Sequence, residues 1–367
     1  MHYHILLTEK CNSECKYCYE KSMQEFDNGL DKKFKFDFSS PESSEVDVLK
    51  LKRFLEKDPE AILVFYGGEP LLEIDKIKRI MDKIEVPFRI QTNGKLLHEL
   101  PAKYVNRIGK ILISIDGDKK RTDYNKGEGS YDIIMKNIHL IKKRGYNGEI
   151  IARMTISKFP DLYEQVLNLI QIGFKSIHWQ LDAGFYKFDY DKEKFSKFVK
   201  EYNKSVTKLI DYWVDEMKNG RVIKIYPFLG IVDSILKGEK TKLRCGAGYL
   251  GYAITTDGKI VACPIMNCIE DFIAGDLTTE PMWLKKFDVT GRCLLCDVKD
   301  LCGGRCLYWN QAQLWPTEGD DLICNSIKHL IKELQKKIVV IKDLINKEVI
   351  KESYFEYEKY FGPEIIP

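Results

Sequence analysis

No apolar run in this 367-residue chain reaches the roughly 18–20 residues of a helical membrane span, so none is expected. Nor does a signal peptide precede the first apolar segment, and the expected location is the cytoplasm. Charge of one sign is also missing. The chain has 58 Lys and Arg against 55 Asp and Glu, a net charge of +3, and no basic patch with interleaved aromatics, which argues against a nucleic-acid partner. Cysteine is absent between Cys18 and Cys245, yet eleven are present in all. An odd number in a reducing compartment does not suit a disulfide framework, so metal or cluster ligation is the better account. The cysteines fall into two fields, Cys11 to Cys18 and Cys245 to Cys324.

From His2 to about Ile225, apolar or β-branched runs alternate with amphipathic stretches. Strands are expected at 2–7, 61–66, 88–91, 111–115, 149–156 and 176–181. Helices are expected at 46–55, 74–84, 131–143 and 162–172. Six repeats of strand and helix imply an α/β fold with a parallel sheet covered on both faces. Periodicity leaves a barrel and a doubly wound sheet both open, but either binds ligands at the carboxyl edge of its strands. The segment from Gln24 to Glu45 reads as an irregular excursion, able to cover a site or touch a partner. Residues 191–219 read as a long charged helix or helix pair, with solvated charge.

Cys11, Cys15 and Cys18 follow the first strand with the spacing C-x3-C-x2-C. Three thiolates can hold three irons of a cubane cluster and leave the fourth open. A zinc site or reduced structural thiols are the alternatives. With Tyr17 before the last cysteine, the motif resembles that of the radical S-adenosylmethionine (SAM) superfamily. The resemblance implies a partial (β/α)6 TIM-like barrel over residues 1–235. It also implies a [4Fe-4S] cluster whose open iron chelates SAM, and one-electron cleavage of SAM to a 5'-deoxyadenosyl radical.

Motifs at the next strand ends extend the resemblance. Gly67-Gly68-Glu69 stands after the second strand, where glycines let the backbone approach a ligand and the carboxylate would accept from the SAM ammonium. Thr92 and Asn93 follow the third strand, and Ser114 and Asp116 the fourth; relatives place polar SAM contacts at these ends. Turn and capping chemistry is the alternative for each motif. Lys126 stands where many relatives have Arg. Lysine cannot clamp a carboxylate in bidentate fashion, and Arg153 is the second candidate for the SAM carboxylate. Gln180, Trp179 and Asp182, at the end of the sixth strand, are read as packing and capping ahead of substrate contact.

The second field reads C-x12-G-x4-C for Cys245, Gly258 and Cys263, then C-x2-C-x5-C-x3-C for Cys293, Cys296, Cys302 and Cys306, then Cys324. Asp257-Gly258 signals a hairpin turn between the first pair. The order resembles the seven-cysteine signature of SPASM domains, which follow the barrel in radical SAM enzymes that mature peptides and proteins. That resemblance implies a small Cys-rich SPASM domain at 236–330 with two auxiliary [4Fe-4S] clusters, followed by a helix and aromatic tail at 331–367. Cys245, Cys263 and Cys306 would hold the inner cluster; Cys293, Cys296, Cys302 and Cys324 the outer. Cys268 is extra, a candidate fourth ligand, a spectator or an active-site thiol. Two zinc knuckles are the alternative for this field.

The expectation is therefore a radical SAM/SPASM oxidoreductase that abstracts hydrogen from a peptide or protein. An electron donor such as ferredoxin or flavodoxin is implied, and a separate leader-peptide-binding protein if the substrate has a leader. Thioether or carbon–carbon links and epimerisation remain open; sulfatase-type formylglycine chemistry is disfavoured by Pro264 after the hairpin cysteine. A radical SAM enzyme acting on a small molecule and a zinc-binding interaction protein are the other classes. The C-terminal aromatics, Tyr354 to Phe361, are expected to pack, with a docking surface as the alternative.

Overall fold

The computed structural model describes residues 1–18 and 28–367. Two compact units divide the chain. The first contains Met1–Cys18, Gly29–Ala152 and Gly246–Asp288, and the second Arg153–Cys245 and Val289–Pro367.

In the first unit, β1 (His2–Leu6), β2 (Ile62–Tyr66), β3 (Phe88–Thr92) and β4 (Ile108–Ser114) lie side by side in chain order, each parallel to the next. A doubly wound sheet reverses its order about a switch point, placing the first strand between two later strand–helix repeats. Here β1 is instead flanked by β2 and a strand from the second cysteine field, so the winding follows the barrel type. The run Ile62-Leu63-Val64-Phe65-Tyr66 is apolar throughout because Leu63 to Tyr66 are all buried. Helix Val48–Leu55 starts where Asp47 accepts from the amides of Leu49 (2.8 Å) and Lys50 (2.9 Å), and turns Leu51, Phe54 and Leu55 inward. Phe54 meets Tyr3 edge to face, with ring centroids 5.1 Å apart. Helices Ile74–Lys83 and Ser130–Lys143 bury Ile77, Ile80 and Met81, and Ile134, Ile138 and Ile141. β5 (Glu149–Ile156) carries the division between the units.

The hairpin around Asp257-Gly258 forms as expected. β8 (Gly251–Ile254) pairs antiparallel with β9 (Lys259–Val261), the strands β6 (Ser176–Leu181) and β7 (Lys224–Ile225) having come before in the second unit. The hairpin also continues the sheet of the first unit, β8 lying parallel to β1 from His2↔Gly251 to Ile5↔Ile254. An unforeseen β10 (Ile273–Asp276) adds to β9 with a register shift at Gly275.

Residues Gln24–Asp27 of the excursion lie outside the described residues. The rest forms a strap within the first unit. Its outward limb meets the segment after the hairpin, through Asp37 N to Cys268 O (2.9 Å), Glu270 N to Lys35 O (2.9 Å) and the bridge Phe36↔Ile269. The returning limb meets the end of β1, where Glu9 N donates to Glu42 O (2.8 Å) and Ser44 N to Leu7 O (2.9 Å).

In the second unit residues 192–218 form one helix, not a pair, and Thr317–Asn346 runs along it. Thr207 Oγ1 and His329 Nε2 lie 2.9 Å apart, and Ser326 Oγ donates to Asn203 Oδ1 at 2.9 Å. Tyr226–Lys237, which the periodicity did not reveal, is helical and buried from Tyr226 to Ser234. Phe355 and Phe361 of the aromatic tail are also buried, Phe355 against Trp213 and Tyr357 against Tyr226. No helix among the described residues is long and apolar enough to cross a membrane.

Packing, rather than docking, is thus the role of Phe355. Phe355→Ala should destabilise the chain by about 3 kcal/mol or more, measured by urea unfolding. An unchanged midpoint would contradict this.

Candidate active site

Parallel pairing of β1 to β4 carries their carboxyl ends to one edge, and the expected motifs meet there. Gly68 N donates to Thr8 O and Glu69 N to Lys10 O, each at 2.8 Å. A Cβ on Gly67 (φ +137°) would lie 2.3 Å from Thr8 O, and one on Gly68 would lie 2.4 Å from Lys10 O. Both contacts are impossible, so these positions require glycine. The close approach they permit in the structure is by the backbone that launches the cysteine loop.

Glu69 is fully buried at the centre of this edge. Its Oε1 accepts from Leu71 N (3.0 Å) and Thr92 Oγ1 (2.7 Å), and its Oε2 from Asn93 N (2.7 Å). Burial pushes the carboxyl up to about 7, against the pull of these donors. Asn93 extends the connection to the cysteines. Its Nδ2 lies 2.6 Å from Asn12 Oδ1, 3.3 Å from Ser13 Oγ and 3.8 Å from Cys11 Sγ.

The far end of the cysteine loop is held from β4. Asp116, fully buried, accepts at Oδ2 from Tyr17 OH (2.5 Å) and Asn125 Nδ2 (3.0 Å). The Lys126 ammonium is buried 3.9 Å from Asp116 Oδ2, 4.0 Å from Cys15 Sγ and 5.0 Å from the Tyr17 ring centroid. Lys16 N donates to Asn125 O at 3.0 Å, and Cys18 N closes a turn onto Cys15 O at 3.1 Å. Ser114 is half-buried at the end of β4. Arg153 belongs to the second unit, where its Nη2 donates to Gln180 Oε1 at 3.0 Å.

None of the eleven cysteines is in a disulfide. Cys263 and Cys268 lie in the first unit; Cys245, Cys293, Cys296, Cys302, Cys306 and Cys324 lie in the second. Burial pushes the Cys268 thiol up to about 11 and the Glu9 carboxylate adds to it, while neighbouring Asn267 donates to Glu9 Oε1 at 3.0 Å. Cys268 therefore shares its surroundings with the start of the N-terminal cysteine loop. In the second unit Cys293, Cys296, Cys302 and Cys324 lie within each other's fields, linked through Cys293 and Cys324. Donors surround them. Arg292 Nη2 is 3.2 Å from Cys324 Sγ, Asn310 Nδ2 is 3.4 Å from Cys293 Sγ, and the amides of Gly304 and Arg305 face Cys302. Among the described residues no three His, Cys, Asp or Glu converge as one metal ion requires. Thiols ringed by N–H donors have the chemistry to hold a cluster as thiolates.

Sequence reasoning missed Asn125, Arg292, Asn310 and Arg305. Asn125, beside the candidate Lys126, had a signal in its position; the others lie among cysteines whose spacing drew the attention. If the glycine contact shapes the cysteine loop, Gly68→Ala should lose part of its bound iron while keeping its circular dichroism spectrum. Full iron content would contradict that role.

Comparison with known proteins agrees with this geometry. Residues 5–171 match the model of the Radical SAM superfamily. The cysteine-type anaerobic sulfatase-maturating enzyme of Clostridium novyi (strain NT) is 25% identical, covering 92% of this chain and 96% of that protein. The radical SAM cyclopropyl synthase TigE of Paramaledivibacter caminithermalis is 24% identical, covering 83% of this chain and 67% of its own. A solved structure of anSMEcpe with bound AdoMet and Cp18Cys peptide shares the fold, with a TM-score of 0.69 and 19% identity over 94% of this chain and 99% of that one. With its cysteine loop at the carboxyl edge of a parallel sheet, the chain carries over residues 5–171 a domain that matches the Radical SAM superfamily, and over most of its length it is similar to enzymes of that superfamily.

Proposed function

We propose that the chain modifies a peptide or protein by radical chemistry, with Cys11, Cys15 and Cys18 holding a [4Fe-4S] cluster that leaves one iron for SAM. The observation that carries this reading is the loop's suspension from two buried carboxylates, Glu69 through Asn93 and Asp116 through Tyr17. When bound, the cluster supplies the electron that cleaves SAM to methionine and the 5'-deoxyadenosyl radical.

The residues around it have separate tasks. Asn93 and Lys126 place a polar hydrogen and a positive charge beside Cys11 and Cys15, which suits thiolates at both positions. Glu69 fixes the Thr92-Asn93 turn and Asp116, fully buried, holds Tyr17 and Asn125, so that the half-buried Gly67-Gly68 backbone and Ser114 would receive SAM. Arg153 and Lys126 are the candidates for its carboxylate. A peptide or protein substrate is supported by the names of the relatives, a sulfatase-maturating enzyme and a cyclopropyl synthase. Their chemistries differ, so the bond made here is left unassigned.

The second field would hold two auxiliary clusters, an inner one on Cys245, Cys263 and Cys306 and an outer one on Cys293, Cys296, Cys302 and Cys324. Cys268 either completes the inner set or acts on substrate. An electron donor such as ferredoxin or flavodoxin would supply the electron in the cell.

The test is SAM cleavage under anaerobic conditions with dithionite. The wild-type chain should release 5'-deoxyadenosine. The variant Cys11→Ala/Cys15→Ala/Cys18→Ala should release none and retain the iron of the second field. Cleavage by that variant would contradict the assignment.

A further inference from the structure

Arg305 stands between two ligand candidates in the run Cys302-Gly303-Gly304-Arg305-Cys306, in a left-handed backbone conformation (φ 57°). Its guanidinium is buried, donates to the carbonyl oxygens of Leu181 (3.0 Å) and Ala183 (3.2 Å), and lies over the rings of Phe185 and Trp309. Among the described residues no carboxylate forms an ion pair with it. Asp320, whose charge reaches it, accepts from Trp309 Nε1 at 3.0 Å instead. Removing a guanidinium from water without a counter-charge is costly, and carbonyl dipoles and ring faces offset only part of it.

Besides Asp320, the groups whose fields meet at Arg305 are the sulfurs of Cys306, its neighbour in the chain, Cys324 and Cys302. As neutral thiols they would leave the cation with the charge of Asp320 and no ion pair. As cluster-bound thiolates they would supply the missing negative charge, from both ligand sets at once: Cys306 belongs to the inner set and Cys302 and Cys324 to the outer.

We propose that Arg305 is the shared counter-charge of the two auxiliary clusters and raises the reduction potential of both, which suits them to accept electrons. This rests on the auxiliary clusters proposed above. Reduction adds one electron to an already anionic cluster, so a fixed cation in a dry site stabilises the reduced form. Arg292, 3.2 Å from Cys324 Sγ, acts on the outer set alone and is partly balanced by Asp321 at 2.6 Å. The N-terminal triad is set differently. Its cation, Lys126, faces the Asp116 carboxylate, and Glu69 adds a carboxyl group within reach of Cys11. Such surroundings suit a cluster that gives electrons to SAM.

The test is an anaerobic redox titration of the full-length, iron-loaded chain, with dithionite as reductant and mediators, followed by electron paramagnetic resonance. SAM addition identifies the triad's signal. Arg305→Gln should lower the midpoints of both other signals and leave the triad's in place, Arg305→Lys should restore them towards wild type, and Arg292→Gln should lower only one. Unmoved midpoints in Arg305→Gln, or an equal fall in Arg305→Lys, would overturn the proposal, because only the charge distinguishes this role from tying down the end of β6. If Arg305→Gln does not fold, Arg305→Met, which keeps the side-chain length without the charge, takes its place, and unmoved midpoints there overturn the proposal. A wild-type chain with the iron of one cluster only would overturn the auxiliary clusters themselves, and the proposal with them.

Discussion

A buried carboxylate is the constraint on which the candidate site depends. Glu69 has given up its water and takes donors from the turns after β2 and β3 in exchange, so that these turns can hold only one mutual arrangement. Through Asn93 that arrangement reaches Cys11, and through the glycine contacts before it, the backbone of Thr8 to Lys10. Three cysteines on an exposed loop would otherwise sample many geometries. Here the loop is held at its start by β2 and β3 and at its end by Asp116 after β4, which is the preorganisation that cluster assembly needs.

The distribution of charge then separates the two cysteine fields by chemistry. Beside the triad the buried cation Lys126 faces the Asp116 carboxylate. Around the second field no carboxylate among the described residues forms an ion pair with Arg305, and Arg292, paired with Asp321, and Asn310 also point at sulfur. Hydrogen bonds and positive charge at cluster sulfurs favour the reduced state. One chain thereby provides surroundings suited to donating an electron and others suited to receiving one.

Much of this was legible in the sequence, for identifiable reasons. The strands β2, β5 and β6 are long enough and apolar or β-branched enough to be read directly, and the motifs after β1 to β4 stood where a parallel sheet collects its loops. The parallel pairing of β8 with β1 was not legible, because an Asp-Gly turn reports only the local antiparallel partner. Helix Tyr226–Lys237 was hidden by being buried almost all round, which removes the 3.6-residue alternation that marks a surface helix. At Gly67 and Gly68 the sequence signals a close approach without its partner, and the structure supplies one in the backbone of Thr8 to Lys10. Arg305 drew no reading from the sequence, since nothing local shows that its Gly-Gly-Arg turn folds inward.

The most direct test of the whole account is the iron, sulfide and zinc content of the chain purified without oxygen. About twelve irons per chain with matching sulfide are predicted, from three four-iron clusters. About two zincs per chain with little iron would contradict the account, for four-cysteine zinc sites would then occupy the cysteines assigned here to clusters.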